Sequence, residues 1–141
     1  GLGKGVDGKV YDICAVGSKI YVCGDFSYVN KSSESEGTPA NRIACWDGTK
    51  WSKIADRPVD REIYALATDG KNLYLGGNFT KINDTTETRS IAKYDGTKIT
   101  PLGGKFDRGI MTLLWAGGKL YAGGLFSANG DDEVKNIAVW D

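Results

Sequence analysis

The chain carries a threefold internal repeat, and its period of about fifty residues restricts the architecture more than any other feature. Residues 10–27 (VYDICAVGSKIYVCGDFS), 63–80 (IYALATDGKNLYLGGNFT) and 110–127 (IMTLLWAGGKLYAGGLFS) align without a gap. A second block follows each one, RIACWDG at 42–48, SIAKYDG at 90–96 and NIAVWD at 136–141. Phe26, Phe79 and Phe126 keep register with Ile43, Ile91 and Ile137, giving spacings between 46 and 53 residues. Only the loop between the blocks changes appreciably in length.

Each unit reads as four short strands. Residues 63–68 and 72–76 alternate apolar with polar or small side chains, the period-two pattern of a sheet. Asp69-Gly70 between them is a turn pair that tolerates the positive φ of a tight hairpin. A third strand over 90–94 ends at Asp95-Gly96, as its counterpart ends at Asp47-Gly48, and a fourth covers 98–102, matched by 50–54. No segment holds an apolar stripe at helical spacing. The expected fold is all-β: β-propeller blades, about three four-stranded antiparallel repeats, as a partial propeller or one completed by another copy or by the rest of a longer chain. Residues 1–9 read as the tail of a preceding blade, because Leu2-Gly3-Lys4-Gly5-Val6-Asp7 matches Leu102-Gly103-Gly104-Lys105-Phe106-Asp107. Repeat one then spans 10–62, repeat two 63–109, and repeat three 110–141, incomplete because it stops at the turn residue Asp141. The expected partners are neighbouring blades of a longer chain or copies of the chain itself through strand sharing, since an unpaired sheet edge templates association.

Gly76-Gly77 and Gly123-Gly124 close the second strand, where a missing Cβ lets backbones approach. Phe26, Phe79 and Phe126, with Trp46, Tyr94 and Trp140, recur in register and are expected to pack between blades; the alternative is a stacking platform for a ligand. The order Gly-Lys-x-Leu-Tyr-x-Gly-Gly, then Ile-Ala-x-Tyr-Asp-Gly-Thr-Lys, then Leu-Gly resembles the kelch and galactose-oxidase-like propeller repeat. Tyr74, Gly76, Gly77, Tyr94 and, in repeat one, Trp46 with Trp51 stand at the places of its double glycine and aromatic pair. The Gly-Gly-x-Phe-Ser/Thr variant also resembles propeller repeats of bacterial secreted proteins and fungal cortical-marker proteins. Cys23 departs from the first glycine, and Ile99 from the position of Trp51. Galactose-oxidase-like enzymes hold copper with Tyr, His and Cys, so the resemblance does not imply that activity for blades without histidine.

Composition narrows the chemistry. Eighteen basic and eighteen acidic side chains leave no net charge, which argues against a general nucleic-acid or anionic-membrane binder. Apolar runs are too short for a membrane span. The absence of histidine removes the commonest general base and metal ligand. No Cys-x-x-Cys pair, phosphate-binding loop or calcium loop is present; the polar stretch over 32–38 reads as a solvated excursion. No catalytic, metal or cofactor residue is therefore expected, and no cofactor. Cys14, Cys23 and Cys45 all fall in repeat one; Cys14 should face Tyr21 and Cys23 should face Asp12, so one disulfide or three reduced thiols remain open. Three glycosylation sequons begin at Asn30, Asn78 and Asn83. Asn30 and Asn83 fall in loops, while Asn78 precedes a core phenylalanine. These features are read as a non-enzymatic extracellular or cell-surface module with structural, adhesive or binding roles, taking a glycan or protein ligand. Two alternatives stand beside it: an ancillary domain of a secreted glycan-active enzyme, or a cytoplasmic kelch-like adaptor.

Overall fold

The computed structural model describes residues 1–33 and 36–140; Glu34 and Ser35 of the polar loop, and the turn residue Asp141, lie outside the described residues. Blade one contains β1 (Lys9–Val16), β2 (Lys19–Asp25), β3 (Tyr28–Val29), β4 (Thr38–Pro39), β5 (Ile43–Trp46) and β6 (Trp51–Lys53). Blade two contains β7 (Ile63–Thr68), β8 (Leu73–Gly77), β9 (Lys81–Ile82), β10 (Thr86–Glu87), β11 (Ile91–Tyr94) and β12 (Ile99–Pro101). Blade three contains β13 (Ile110–Ala116), β14 (Lys119–Gly124), β15 (Ala128–Asn129), β16 (Asp132–Glu133) and β17 (Ile137–Trp140). The main sheets run β1-β2-β5-β6, β7-β8-β11-β12 and β13-β14-β17, all antiparallel. The first strands line up beside one another, β1 against β7 and β7 against β13. Between its second and third main strands each blade adds a small hairpin, β3-β4, β9-β10 or β15-β16, whose two-residue strands are too short to carry a periodic signal.

A bulge in every first strand explains the second glycine of each pair. Val10 pairs with Gly24 and Asp12 with Cys23, which leaves Tyr11 unpaired; Tyr64 and Met111 are skipped in the same way. The bulged backbone crosses close to the end of the second strand. A Cβ on Gly24, Gly77 or Gly124 would stand 1.9, 2.1 or 2.4 Å from the carbonyl oxygen of Lys9, Glu62 or Gly109. The first glycine answers to side chains instead. A Cβ at Gly76 would meet Ile110 Cγ2 of the next blade at 2.7 Å, and one at Gly123 would meet Thr112 Cγ2 at 2.9 Å. Cys23 fills the same place in blade one, fully buried.

The residue before each third strand is left-handed: Arg42, Ser90 and Asn136 have φ of 78°, 70° and 63°. Its N–H donates to the carbonyl of Phe26, Phe79 or Phe126 at 2.9, 2.9 and 3.0 Å. Its own carbonyl accepts the N–H of Gly24, Gly77 or Gly124, each at 3.0 Å. Two backbone bonds per blade therefore hold this conformation against its intrinsic cost.

The inter-blade layers form the core. Tyr21, Cys23, Ile43 and Cys45 of blade one pack on Ile63, Leu66, Leu75 and Phe79 of blade two. Ala67, Tyr74 and Ile91 of blade two pack on Ile110, Leu120, Ala122 and Phe126 of blade three. Tyr94 meets Tyr21 edge-on across the first junction, with ring centres 6.0 Å apart, and Trp115 stacks on Tyr74 across the second at 5.4 Å. Not every repeated aromatic crosses a junction. Trp46 lies against Trp51 of its own blade, Phe26 packs with Val22, Val29 and Trp51, and Trp140 meets Phe106 from the linker ahead of blade three.

The segments entering the blades are pinned alike. Val6, Val59 and Phe106 each form one bridge to the small hairpin, at Val29, Ile82 and Asn129. The next residue is Asp7, Asp60 or Asp107, whose carboxylate accepts two successive backbone N–H groups at 2.8 to 3.0 Å. Thr80 and Ser127 add hydroxyl donors to Asp60 and Asp107 at 2.6 and 2.7 Å. The Trp51 indole N–H also donates to the Leu2 carbonyl at 2.8 Å, so the N-terminal segment is held on blade one.

Candidate functional site

Cys14, Cys23 and Cys45 share one face of blade one. Cys14 stands opposite Tyr21, Tyr21 opposite Cys45, and Cys23 opposite Asp12, and all three are free thiols with no disulfide among them. Tyr21 stands between Cys14 and Cys45 in the register. Burial, then the Asp12 charge, pushes Cys23 up to about 12; burial also raises Cys14 and Cys45. Thiols held protonated are packing groups, not nucleophiles. Asp12 itself reaches across the junction, accepting the Leu66 N–H at 2.8 Å.

Asn30 and Asn83 occupy one repeat position, the exposed turn of the small hairpin, with φ of 56° and 50°; Gly130 has φ of 68° at the same place. Asparagine and glycine are the residues that best tolerate this conformation, so local geometry accounts for both asparagines independently of any sequon. The Asn30 side-chain oxygen accepts the Lys4 N–H at 3.0 Å. Asn78 is exposed at the end of β8, directly ahead of the fully buried Phe79.

Asn78 leads to the most distinctive surface of the molecule. At this end of the blades the bulge lifts Tyr11, Tyr64 and Met111 out of the sheet. Tyr11 and Met111 are 43% and 47% exposed, and the Tyr11 and Tyr64 rings are 5.5 Å apart. Tyr64, Met111 and Leu125 border a cavity of about 290 Å³ shared with Asn78, Asp107 and Arg108. The last three residues also line a neighbouring cleft of about 370 Å³, together with Arg61, Lys81 and Arg89. An apolar shelf and a basic cleft are thus continuous.

Three of the chain's five arginines line this cleft, one from each linker flanking blade two and one from the loop before β11. Among the described residues none of their guanidinium groups has an ion-pair partner. Asp107 lies in the cleft but is already engaged. The Ser127 hydroxyl, then the N–H groups of Ser127 and Ala128, hold its carboxyl down at about 2. Glu87 is the remaining acidic side chain of the lining. The repeat-equivalent cleft between blades one and two, about 310 Å³, contains Arg42, Arg57, Asp60 and Asp84. There Arg57 Nη1 pairs with Asp84 Oδ2 at 2.7 Å. At the first junction Arg57 is ion-paired, whereas among the described residues none of the three arginines at the second is.

Sequence reading did not single out either the arginines or the linker aspartates. A signal for the aspartates exists: Asp7, Asp60 and Asp107 each precede the repeated phenylalanine by 19 residues. The arginines have no such regularity.

No family model and no curated protein matches the sequence. In structure the chain is similar to the WD40 β-propeller domain of Doa1, with a TM-score of 0.51 and 16% sequence identity over 97% of this chain. The match covers 39% of that protein chain, so the present chain spans about two fifths of its length. At this identity the likeness concerns fold alone and does not distinguish the kelch type from other propellers. Together with the repeated antiparallel sheets, it establishes the chain as an all-β protein built as a partial β-propeller.

Proposed function

We propose that the chain is a non-enzymatic propeller module that binds a protein partner across the end of its blades, at a cell surface or outside the cell. The observation that carries this reading is the continuity of exposed Tyr11 and Met111 and half-buried Tyr64 with a cleft lined by unpaired arginines. Large apolar and guanidinium groups left on a surface are the side chains that dominate protein interfaces. The carboxylates support it differently, since Asp47, Asp69 and Asp95, each held below the usual carboxylate range by hydrogen bonds, serve the fold. Asp47 and Asp95 each accept two N–H groups inside their own turn, and Asp69 takes two more and the Tyr74 hydroxyl.

Photo-crosslinking groups placed at Tyr11, Tyr64 and Met111, and separately at Thr49, Lys71 and Thr97 in the opposite turns, test the reading in the native setting. A single adduct confined to the first set is expected. Equal labelling at both ends, or none, would refute it. The exposed sequons at Asn30 and Asn83 favour the extracellular setting. The three free thiols favour the second reading, a cytoplasmic kelch-like adaptor. Site-resolved mass spectrometry separates them: glycan at Asn30 or Asn83 supports the first, and bare asparagines with three titratable thiols the second.

A further inference from the structure

We propose that the cleft between blades two and three is an acidic-peptide site, in which Arg61, Arg89 and Arg108 take side-chain carboxylates while Tyr64, Met111 and Leu125 take an apolar side chain of the same segment. The proposal rests on the assignment of this end as the binding face, and it names the chemistry of the partner. Four cations line the cleft, counting Lys81, against two carboxylates, one of which is engaged by Ser127 and Ala128. An unpaired guanidinium beside a concave surface is a preformed fork for a carboxylate and pays little to reorganise on binding. The sister cleft supplies an internal comparison, because Asp84 there already occupies Arg57 in the way an incoming acid would occupy an arginine here. The acid of blade three that aligns with Asp84 is Asp131, in Ala128-Asn129-Gly130-Asp131 against Lys81-Ile82-Asn83-Asp84, and it does not line this cleft.

The apolar shelf selects among anionic ligands. A sulfated oligosaccharide offers charge without an aliphatic or aromatic side chain, whereas a peptide offers both within a few residues. The shared border of the two cavities at Asn78 and Arg108 places charge and apolar contact side by side.

The test uses the whole chain and three probes: a short Asp/Glu peptide containing leucine and phenylalanine, its Asn/Gln counterpart, and a heparin-derived oligosaccharide. Binding is read by fluorescence anisotropy, and near-ultraviolet circular dichroism of the Tyr74–Trp115 stack reports the fold. The acidic peptide should bind, weaken about tenfold in Arg89→Gln and in Arg108→Gln, and weaken further with salt. Arg57→Gln should leave its affinity unchanged. Equal binding of the neutral peptide, an equal loss in Arg57→Gln, or binding of the oligosaccharide alone would overturn the proposal. Failure of the acidic peptide to bind, with the crosslinks at Tyr64 and Met111 intact, would overturn this chemistry and leave the binding face standing. Loss of those crosslinks would remove the binding face itself.

Discussion

At the scale of single residues, adjacent glycines do different work. The obstacle at Gly77 is a backbone carbonyl that cannot rotate away, whereas at Gly76 it is the tips of Ile110 and Leu113. Gly77→Ala should therefore cost about 3 kcal/mol and Gly76→Ala about 1 kcal/mol, with exposed Lys98→Ala within about 0.5 kcal/mol, in urea melts. Equal costs for the two glycines would show that the bulge relaxes. The linker aspartates set an acid limit. At Asp60, burial raises the carboxyl, but the Thr80 hydroxyl and the N–H groups of Lys81 and Thr80 outweigh it and the net shift is downward. Asp7 is likewise lowered by the Tyr28 and Ser27 N–H groups and Lys31 against its own burial, and Asp107 falls from 3.8 to about 2. A folded value below the unfolded one contributes stability that is present above pH ~4 and lost as pH falls toward 2. Thermal midpoints should drop across that window, and Asp107→Asn should flatten part of the drop. An unchanged profile in that variant would separate the carboxylate from acid stability.

At the scale of elements, the main strands were legible because their signals are local. Alternation over 63–68, the Asp-Gly turns at 47–48 and 95–96, and the recurring Ile-Ala of the third strand appear as strands and turns within about a residue of expectation. The expected facing of Cys14 with Tyr21 and Cys23 with Asp12 is the observed register. Two features were not legible. The bulge follows from how the first strand must bend toward its neighbours, and nothing common to Tyr11, Tyr64 and Met111 marks it. The small hairpins are held by a linker 20 or more residues away in sequence, through Asp7, Asp60 and Asp107, not by their own alternation. Their left-handed turn makes a specific demand. Asn83→Gly should be tolerated, while Asn83→Val should destabilise by about 1–2 kcal/mol in denaturant melts, because a β-branched side chain resists φ near 50°. Equal stability of the two variants would mean that the turn rearranges freely.

At the scale of the whole molecule, the blades stack through equivalent faces that are covered at two junctions and open beyond them. The Cys14–Tyr21–Cys45 row of blade one is packed by blade two, and the corresponding Leu114–Tyr121–Val139 row of blade three is exposed, with side chains 60%, 37% and 51% accessible. On the other flank Ile13 is 60% exposed, whereas its counterpart Leu66 is 5% exposed against blade one. The 141-residue polypeptide should therefore associate head to tail as concentration rises, with Leu114→Lys and Ile13→Lys each suppressing it in light scattering. A folded monomer at every concentration would exclude that contact. The repeat, the main strands and the all-β class are written locally along the chain, because alternation, turn residues and repeat spacing act over a few neighbouring residues and recur. Tertiary structure alone decided which glycine is indispensable, which aspartates bind the linkers, and that Arg61, Arg89 and Arg108 meet in one cleft. Those outcomes depend on backbone crossings and on side chains brought together from separate linkers and a loop, distances that no local pattern encodes.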